Sequence, residues 1–328
     1  MESMFYSKRR TAVTENTEAN KFGGTPARDD NGGLSAEPSK KAKKRSIVSK
    51  IFVYAMLILA SIVMVMPLII LIFTSLKPYE ELLVNPTAIF PKKFTLEAFT
   101  TVFSENPYFL YFGNSVFLTV INVVACCLTS AFVAYGFVRF RVRGAGLIFG
   151  VFLSGMLIPG QVLTIPMFEV YKNLNWINTF MPFIVPCWFG GGIFNIFLQR
   201  QFIRGIPSSL FEAAEIDGCN ELEIFFTIVL RLVKPVMITI AIFTFMNNWN
   251  DLFGPLIYLD DPDLWTLAKG VYMIYQAEMG QMGSSGGSIL PWNIISAANV
   301  FAIIPIVVLY FIAQRFFIEG ISTTGLKE

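Results

Sequence analysis

Histidine is absent from the 328-residue sequence, and its absence excludes several kinds of chemistry. The chain has no histidine general acid or base, no serine–histidine nucleophile and no histidine ligand for zinc. The motif G-x-x-x-x-G-K-[ST] is also missing, so the chain does not hold ATP phosphates through a P-loop. The cysteines lack metal-ligand spacing and are interpreted as small apolar residues: Cys126, Cys127, Cys187 and Cys219.

Charge is scarce as well, at 15% of residues, while 54% are hydrophobic and the mean hydropathy is +0.59. Such a composition is typical of a membrane protein. Basic and acidic residues nearly balance, 25 against 23, so nothing indicates a nucleic-acid partner. Six long apolar runs predict an all-α polytopic membrane protein with six transmembrane helices. They are Ile51–Leu76, Tyr108–Val138 with its span from about Asn114, Gly144–Phe168, Asn173–Gln199, Ile224–Met246 and a stretch within Ile289–Gln314.

Two of these runs contain helix-breaking residues. Pro159-Gly160 and Pro166 interrupt the third run, and Pro182, Pro186 and the triple glycine 190–192 interrupt the fourth. Proline inside a span frees backbone carbonyls, which is tolerated where protein or a water-filled cavity can satisfy them. Three consecutive glycines allow two helix backbones to approach closely.

The ends of the chain are predicted to lie in the cytoplasm. Residues 1–45 are rich in polar residues and poor in aliphatic ones, so we expect a disordered cytoplasmic tail before a transmembrane domain at 46–328. Near the spans, fifteen basic residues fall on the side of the termini and five on the other side. This bias predicts that both termini are cytoplasmic in the cell membrane.

A polar stretch between two apolar runs, Pro207–Pro235, predicts two short helices meeting at a corner. Ser209 and Glu212 have the spacing of a capping box that would start a helix at Leu210, and Gly218 would end it. Asn220 and Glu223 repeat the capping pattern. The first helix is only about two turns long, so contacts with other elements must stabilise it.

The spacing of Glu212-Ala213-Ala214, Gly218, Ile228 and Leu230 resembles the EAA loop of ABC importer permeases. The pattern continues with proline in that family, whereas this chain has Arg231, which puts in doubt the usual kink unless Pro235 supplies it. The sequence EAAEIDG with Lys234-Pro235 is most similar to the carbohydrate-uptake, maltose-type branch. The resemblance covers residues 46–328 and extends to FTSLKP at 73–78, WNDLFGPLIYL at 249–259 and the C-terminal GISTTGLKE.

The resemblance implies a type I ABC importer permease fold, with segment 207–223 as a cytoplasmic coupling helix that docks into an ATPase subunit. The implied coupling residues are Ser209, Glu212, Ala213, Ala214, Asp217 and Gly218. The implied partners are a second permease subunit forming a heterodimer, two ATPase subunits, an extracytoplasmic sugar-binding protein and membrane lipid. This chain would bind no cofactor, with ATP and magnesium held by the ATPase, and it would not be an enzyme.

Polar side chains within the spans are candidates for a substrate pathway, because amides donate and accept hydrogen bonds as a neutral sugar requires. They are Asn122, Gln161, Asn195, Asn247, Asn248 and Asn299, although each could instead only link helices. Segment 249–290 is predicted to be an external loop, with a flexible tract at Met279–Ser288 that either contacts the binding protein or simply connects two spans. The alternatives are a permease for a non-sugar solute, such as a polyamine or phosphate, and a stand-alone secondary transporter or channel.

Overall fold

The computed structural model describes residues 27–28, 34–35, 40–140, 143–285 and 290–324, with side chains from residue 49 onward except 281–285, 315 and 317–324. The helices, in chain order, are α1 Lys40–Ser75, α2 Tyr79–Val84, α3 Glu97–Glu105, α4 Tyr108–Arg139, α5 Ala145–Gly155, α6 Thr164–Asn173, α7 Met181–Trp188, α8 Ile193–Arg204, α9 Ser208–Ile216, α10 Glu221–Ile224, α11 Leu230–Leu232, α12 Lys234–Trp249, α13 Phe253–Tyr258, α14 Leu267–Ser285 and α15 Trp292–Thr324. Shorter elements are the 3-10 turns Gly160–Leu163 and Pro262–Leu264 and the π-helix Phe225–Val229.

The chain divides into two compact units, residues 1–67 and residues 68–328. In the first, the strands Ala27–Arg28 and Leu34–Ser35 pair antiparallel, and α1 begins at Lys40. The rest of the predicted tail lies outside the described residues, so its disorder stays a prediction.

The predicted fold class, a helical membrane protein, is confirmed. Four helical stretches are long and apolar enough to cross a membrane, at 49–75, 108–139, 181–204 and 292–314. Two further stretches qualify if a bent pair of helices is taken as one span. The first pair bends by 90° around Pro159-Gly160, and the second bends by 76° at Val233. The described residues therefore contain four to six candidate spans.

Both bends lie where the sequence contains helix-breaking residues. Pro159 is extended, with φ −59° and ψ 129°, and α5 and α6 diverge on its two sides. Pro235 lies in the first turn of α12, directly after the bend at Val233. Because proline has no N–H to bond with the preceding turn, it is favoured at a helix start. The kink that Arg231 put in doubt is present, and Pro235 is positioned to cause it.

Two predicted boundaries are wrong. The fourth span begins at Met181 rather than Asn173, because residues 174–180 form a loop in which Asn175 and Asn178 have positive φ values of 56° and 59°. The uncharged run that predicted this span therefore includes a polar turn that lies before the helix. The flexible tract at Met279–Ser288 is helical as far as Ser285, as the C-terminal part of α14, and residues 286–289 lie outside the described residues.

Two buried apolar clusters lie at opposite ends of α4. One surrounds its C-terminal half and includes Ala131, Ala134 and Tyr135 together with side chains of α8, α9 and α12. The other surrounds its first turn, where Tyr108 and Tyr111 pack with residues of α14 and α15. This long helix therefore connects the two regions that contain the candidate functional residues.

Candidate functional site

The first part of the candidate site is segment 207–223, which we call the coupling segment. Its first helix, α9, starts at Ser208, after Pro207 with φ −58° and ψ 133°. The predicted capping box of Ser209 and Glu212 is wrong, because no side chain caps this helix and Ser209 already lies in its first turn. With Pro207 at the cap position, the helix starts two residues earlier than the predicted Ser209 cap would place it.

The corner after α9 forms as predicted. Gly218 has φ +83°, and its N–H donates to Glu215 O over 3.0 Å, while the N–H of Cys219 donates to Ala214 O over 3.0 Å. These two bonds are those of a Schellman helix end, in which a glycine takes the left-handed position. A Cβ at Gly218 would meet no heavy atom within 4 Å, so its backbone conformation alone favours glycine here.

The second capping box is confirmed. Asn220 Oδ1 accepts from the N–H of Glu223 over 3.0 Å, and Glu223 Oε2 accepts from the N–H of Asn220 over 2.8 Å. Both N–H groups would otherwise lack partners at the start of α10. The coupling segment is thus a helix, a glycine corner and a capped second helix.

The two faces of α9 differ in exposure. Phe211 and Ala214 are buried and belong to the cluster around the end of α4, so Ala214 contributes to internal packing. The other predicted coupling residues are exposed: Ser209, Glu212, Ala213, Asp217 and Gly218. Ile216 is exposed over 86% of its surface.

Of the six candidate pathway residues, Asn122 and Asn248 come together. Asn122 is buried in α4, and its Nδ2 donates to Asn248 Oδ1 on α12 over 2.5 Å. Asn248 in turn donates to Thr244 O over 2.9 Å. The oxygen Oδ1 of Asn122 has no hydrogen-bond partner among the described residues. This pair links two helices, and its placement is that of an interhelical contact.

The other four candidates lie apart from this pair. Asn195 donates to Gly191 O over 2.6 Å, within the turn that joins α7 and α8. Gln161 and Asn247 are exposed. Asn299, on α15, donates to Ile295 O over 2.8 Å and lines a cavity.

That cavity has a volume of about 390 Å³ and no charged residue among its lining side chains. Its polar and aromatic lining consists of Trp249, Asn250, Tyr272, Tyr275 and Asn299. Trp249, Asn250 and both tyrosines are not among the pathway residues predicted from the sequence, because the sequence predicts a loop at 249–290. A signal was present: Ala268, Val271, Tyr272 and Tyr275 recur at the spacing of one helix face.

Two charged side chains near this cavity form hydrogen bonds with the protein's own backbone. Lys269 is buried, and its Nζ donates to Pro255 O over 3.2 Å and to Leu259 O. Burial lowers the pKa of Lys269, while nearby Asp260 opposes the shift. Asp251 Oδ1 accepts from the N–H of Gly254 over 3.1 Å, and burial raises the pKa of Asp251. Both groups stabilise the turns around α13.

No group of three or more histidine, cysteine, aspartate or glutamate residues could hold a metal ion within the described ranges. The described cysteines are free thiols.

The fold is shared with a chain of a solved bacterial ABC transporter. A chain of a bacterial ABC transporter involved in the import of the acidic polysaccharide alginate matches with a TM-score of 0.71 and 22% identity, covering 86% of this chain and 100% of that chain.

Sequence comparison then gives the family. The family described as binding-protein-dependent transport system inner membrane component matches residues 127–323, and the chain belongs to this family. The arabinooligosaccharides transport system permease protein AraQ of Halalkalibacterium halodurans is 35% identical over 80% of this chain and 91% of its own length. The sulfoquinovosyl glycerol transport system permease protein SmoH of Agrobacterium fabrum is 32% identical over 82% and 92%. The chain is a transport component rather than an enzyme.

Proposed function

We propose that this chain is a permease subunit of an ATP-driven, binding-protein-dependent importer of a sugar or oligosaccharide. The observation that carries the saccharide assignment is the cavity of about 390 Å³ lined by Trp249, Tyr272 and Tyr275 with the amides of Asn250 and Asn299. Amides can donate to and accept from hydroxyl groups, and aromatic rings can pack on the apolar face of a sugar ring. Relatives named as permeases for arabinooligosaccharides and for sulfoquinovosyl glycerol, which carries a sulfonate, support a carbohydrate substrate without deciding its charge.

The neutral lining of this cavity favours an uncharged saccharide. A carboxylate or phosphate buried in such a cavity would need a cationic partner. Lys269, which lies on the same helix as the tyrosines, directs its ammonium to Pro255 O and Leu259 O instead. The substrate proposed for this cavity is therefore a neutral sugar, and the same reasoning disfavours a phosphate permease.

The coupling segment is the proposed contact with the ATPase. Its exposed residues Ser209, Glu212, Ala213 and Asp217, together with Ile216, would form the docking surface, and Gly218 would set the corner. The partner ATPase pair would bind ATP and magnesium, and its closure would move the segment. A second permease subunit would complete the pathway, which would open alternately to the two sides of the membrane.

The proposed orientation has both termini in the cytoplasm. Counting each bent pair as one span gives six spans, an even number that puts both ends on one side. The excess of basic residues on that side supports the cytoplasm as its location. The coupling segment then lies in the cytoplasm, and segment 249–290 faces the extracytoplasmic binding protein.

Purification and reconstitution test the proposal. The chain, expressed with its partner permease, the ATPase and the binding protein, is purified by a tag on this chain and reconstituted in liposomes. We expect the ATPase to co-purify and saccharides from a neutral panel to stimulate ATP hydrolysis and enter the liposomes. A chain that transports alone without ATP would instead be a secondary transporter or channel. Stimulation only by charged solutes that are not saccharides would refute the saccharide assignment, and stimulation only by anionic saccharides would refute the neutral substrate.

A further inference from the structure

Arg139, the last residue of α4, joins this long helix to both halves of the coupling segment. Its Nε donates to the two carboxylate oxygens of Glu221 over 3.0 and 3.1 Å, and its terminal nitrogen lies 2.9 Å from Glu221 Oε1. The same guanidinium forms an ion pair with Glu215. Because Glu215 precedes the Gly218 corner and Glu221 follows it, one side chain bridges the corner.

Aromatic side chains reinforce this junction. Tyr135, one turn before Arg139, donates its hydroxyl to Glu221 Oε2 over 2.5 Å. Its ring lies 6.4 Å from the ring of Phe211 and 5.6 Å from that of Phe225, measured between centroids. The end of α4 is therefore joined to the coupling segment by both charge and packing. Charge-assisted, bidentate hydrogen bonds of this kind fix the relative orientation of two groups as well as their distance.

The opposite end of α4 is joined to the start of α14. Asn114 donates to Asp263 O and Trp265 O over 2.9 and 3.0 Å, and Ser115 Oγ accepts from the N–H of Leu267 over 2.8 Å. Leu267 and the residues one and two turns later, including Tyr272, form one wall of the cavity. A movement of this end of α4 would therefore displace the cavity wall.

Between these two ends, α4 is one unbroken helix of 32 residues without an internal proline. At 1.5 Å per residue it is about 48 Å long. The covalent connections of the coupling segment are less direct. The chain enters it from α8, which starts at the triple glycine, and leaves it through the π-helix Phe225–Val229 and the 76° bend at Val233. Such interruptions are places where a helix bends instead of continuing as one straight rod.

We propose that α4 is the rod that transmits movement of the coupling segment to the cavity wall, with Arg139 as the positioning residue at the junction. This inference rests on the proposed function, because it assumes that ATP moves the coupling segment. Arg139 touches neither substrate nor nucleotide in this proposal. It holds Glu215 and Glu221 in a fixed relation to α4, so that the corner and the rod move together.

The test uses the complete transporter and the variant Arg139→Gln, with Arg143→Gln as a matched control that removes the same charge at a nearby exposed position. Ala268 lies in the cavity wall, and the substitution Ala268→Cys introduces a thiol there whose reaction rate with a maleimide is measured. The labelling of the four native cysteines, measured in the chain without this substitution, is subtracted. In the otherwise unaltered chain we expect the labelling rate to differ between the nucleotide-free and the ATP–vanadate states. With Arg139→Gln the ATPase should still co-purify, while the nucleotide-dependent difference disappears and saccharide uptake falls by about tenfold, within the usual range of coupling between sites. Arg143→Gln should behave as the unaltered chain.

Several outcomes would overturn the inference. An Arg139→Gln complex that keeps uptake and the labelling difference refutes the role of Arg139, and a labelling rate that ATP–vanadate never changes refutes the moving wall. If Arg139→Gln does not assemble, the charge-exchanged pair R139E/E221R decides, in a chain that also carries Glu215→Gln so that the carboxylate introduced at position 139 does not face Glu215. Uptake above that of both single variants supports the junction, and a pair no better than either single variant overturns it. Failure of the unaltered chain to bind an ATPase refutes the proposed function instead.

Discussion

Gly191, in the α7–α8 turn, packs tightly against α4, and Gly191→Ala should destabilise the protein through two separate effects. Its φ is +66°, in the left-handed region. A Cβ there would lie 2.7 Å from Cys126 O, 2.8 Å from Cys126 Cα and 3.0 Å from Thr129 Oγ1. Two of these three atoms belong to the backbone of α4, so the contact cannot be relieved by a change of rotamer.

The loss of stability is the sum of the cost of the left-handed backbone conformation and the cost of the steric overlap. A left-handed conformation costs an L-residue about 1–2 kcal/mol, and overpacking of a tight contact adds about 1–3 kcal/mol. Gly191→Ala should therefore cost about 2–5 kcal/mol in total. Gly144 is a matched control, because its φ is +83° and a Cβ at this residue would meet no heavy atom within 4 Å. Gly144→Ala should show only the conformational cost of about 1–2 kcal/mol.

The assay is thermal unfolding of the purified complex in detergent, with all variants scanned at one rate. A difference of 1 kcal/mol shifts the midpoint by roughly 2–4 °C in a domain somewhat smaller than this chain. The expected order of midpoints, from highest to lowest, is unaltered chain, Gly144→Ala and then Gly191→Ala. Equal midpoints for the two variants would refute the close backbone contact, since both substitutions change the unfolded chain in the same way.

Three further predictions concern the coupling segment, the turn at α13 and the cavity. Gly218→Val should abolish saccharide uptake without affecting membrane insertion, because φ +83° excludes a β-branched residue; normal uptake measured in vesicles would contradict this. Burial raises the pKa of Asp251 above 3.8, so the carboxyl contributes stability at low pH that is lost as pH rises through the range between 3.8 and the folded-state pKa. Asp251→Asn, which keeps the Oδ1 acceptor for Gly254, should leave the unfolding midpoint at pH 7 equal or higher and flatten its pH dependence; a lower midpoint would contradict this. Asn299→Ala should reduce uptake by about tenfold through loss of a hydrogen bond to the sugar, whereas exposed Tyr310→Ala should not, and equal losses would contradict the cavity assignment.

The sequence predicted the features that depend on local backbone chemistry. The bend at Pro159-Gly160, the left-handed Gly218 and the capping box of Asn220 each involve residues within one or two turns of each other. Glycine and proline restrict backbone geometry whatever surrounds them. The Ser209 capping box was wrong because the helix already starts at Ser208, after Pro207, which leaves Ser209 inside its first turn.

Features that depend on distant residues could not be predicted in the same way. In the sequence, Arg139 is only the first charged residue after an apolar run. Its ion-pair partners Glu215 and Glu221 are 76 and 82 residues away. The cavity likewise combines Trp249, Tyr272 and Asn299 from three helices. The missing step was the helical character of α14, which a glycine-rich end concealed, because glycine lowers helix propensity without preventing a helix.

The structure also answers how a helix as short as α9 can be stable. Nine residues are too few for an isolated helix in water. Phe211 and Ala214 are buried against the end of α4, and Glu215 is paired with Arg139. These contacts lie within the chain, so they stabilise the coupling segment whether or not a partner is bound. A partner that docks on its exposed face would meet a surface already formed, so little of the binding free energy would be spent on ordering the segment.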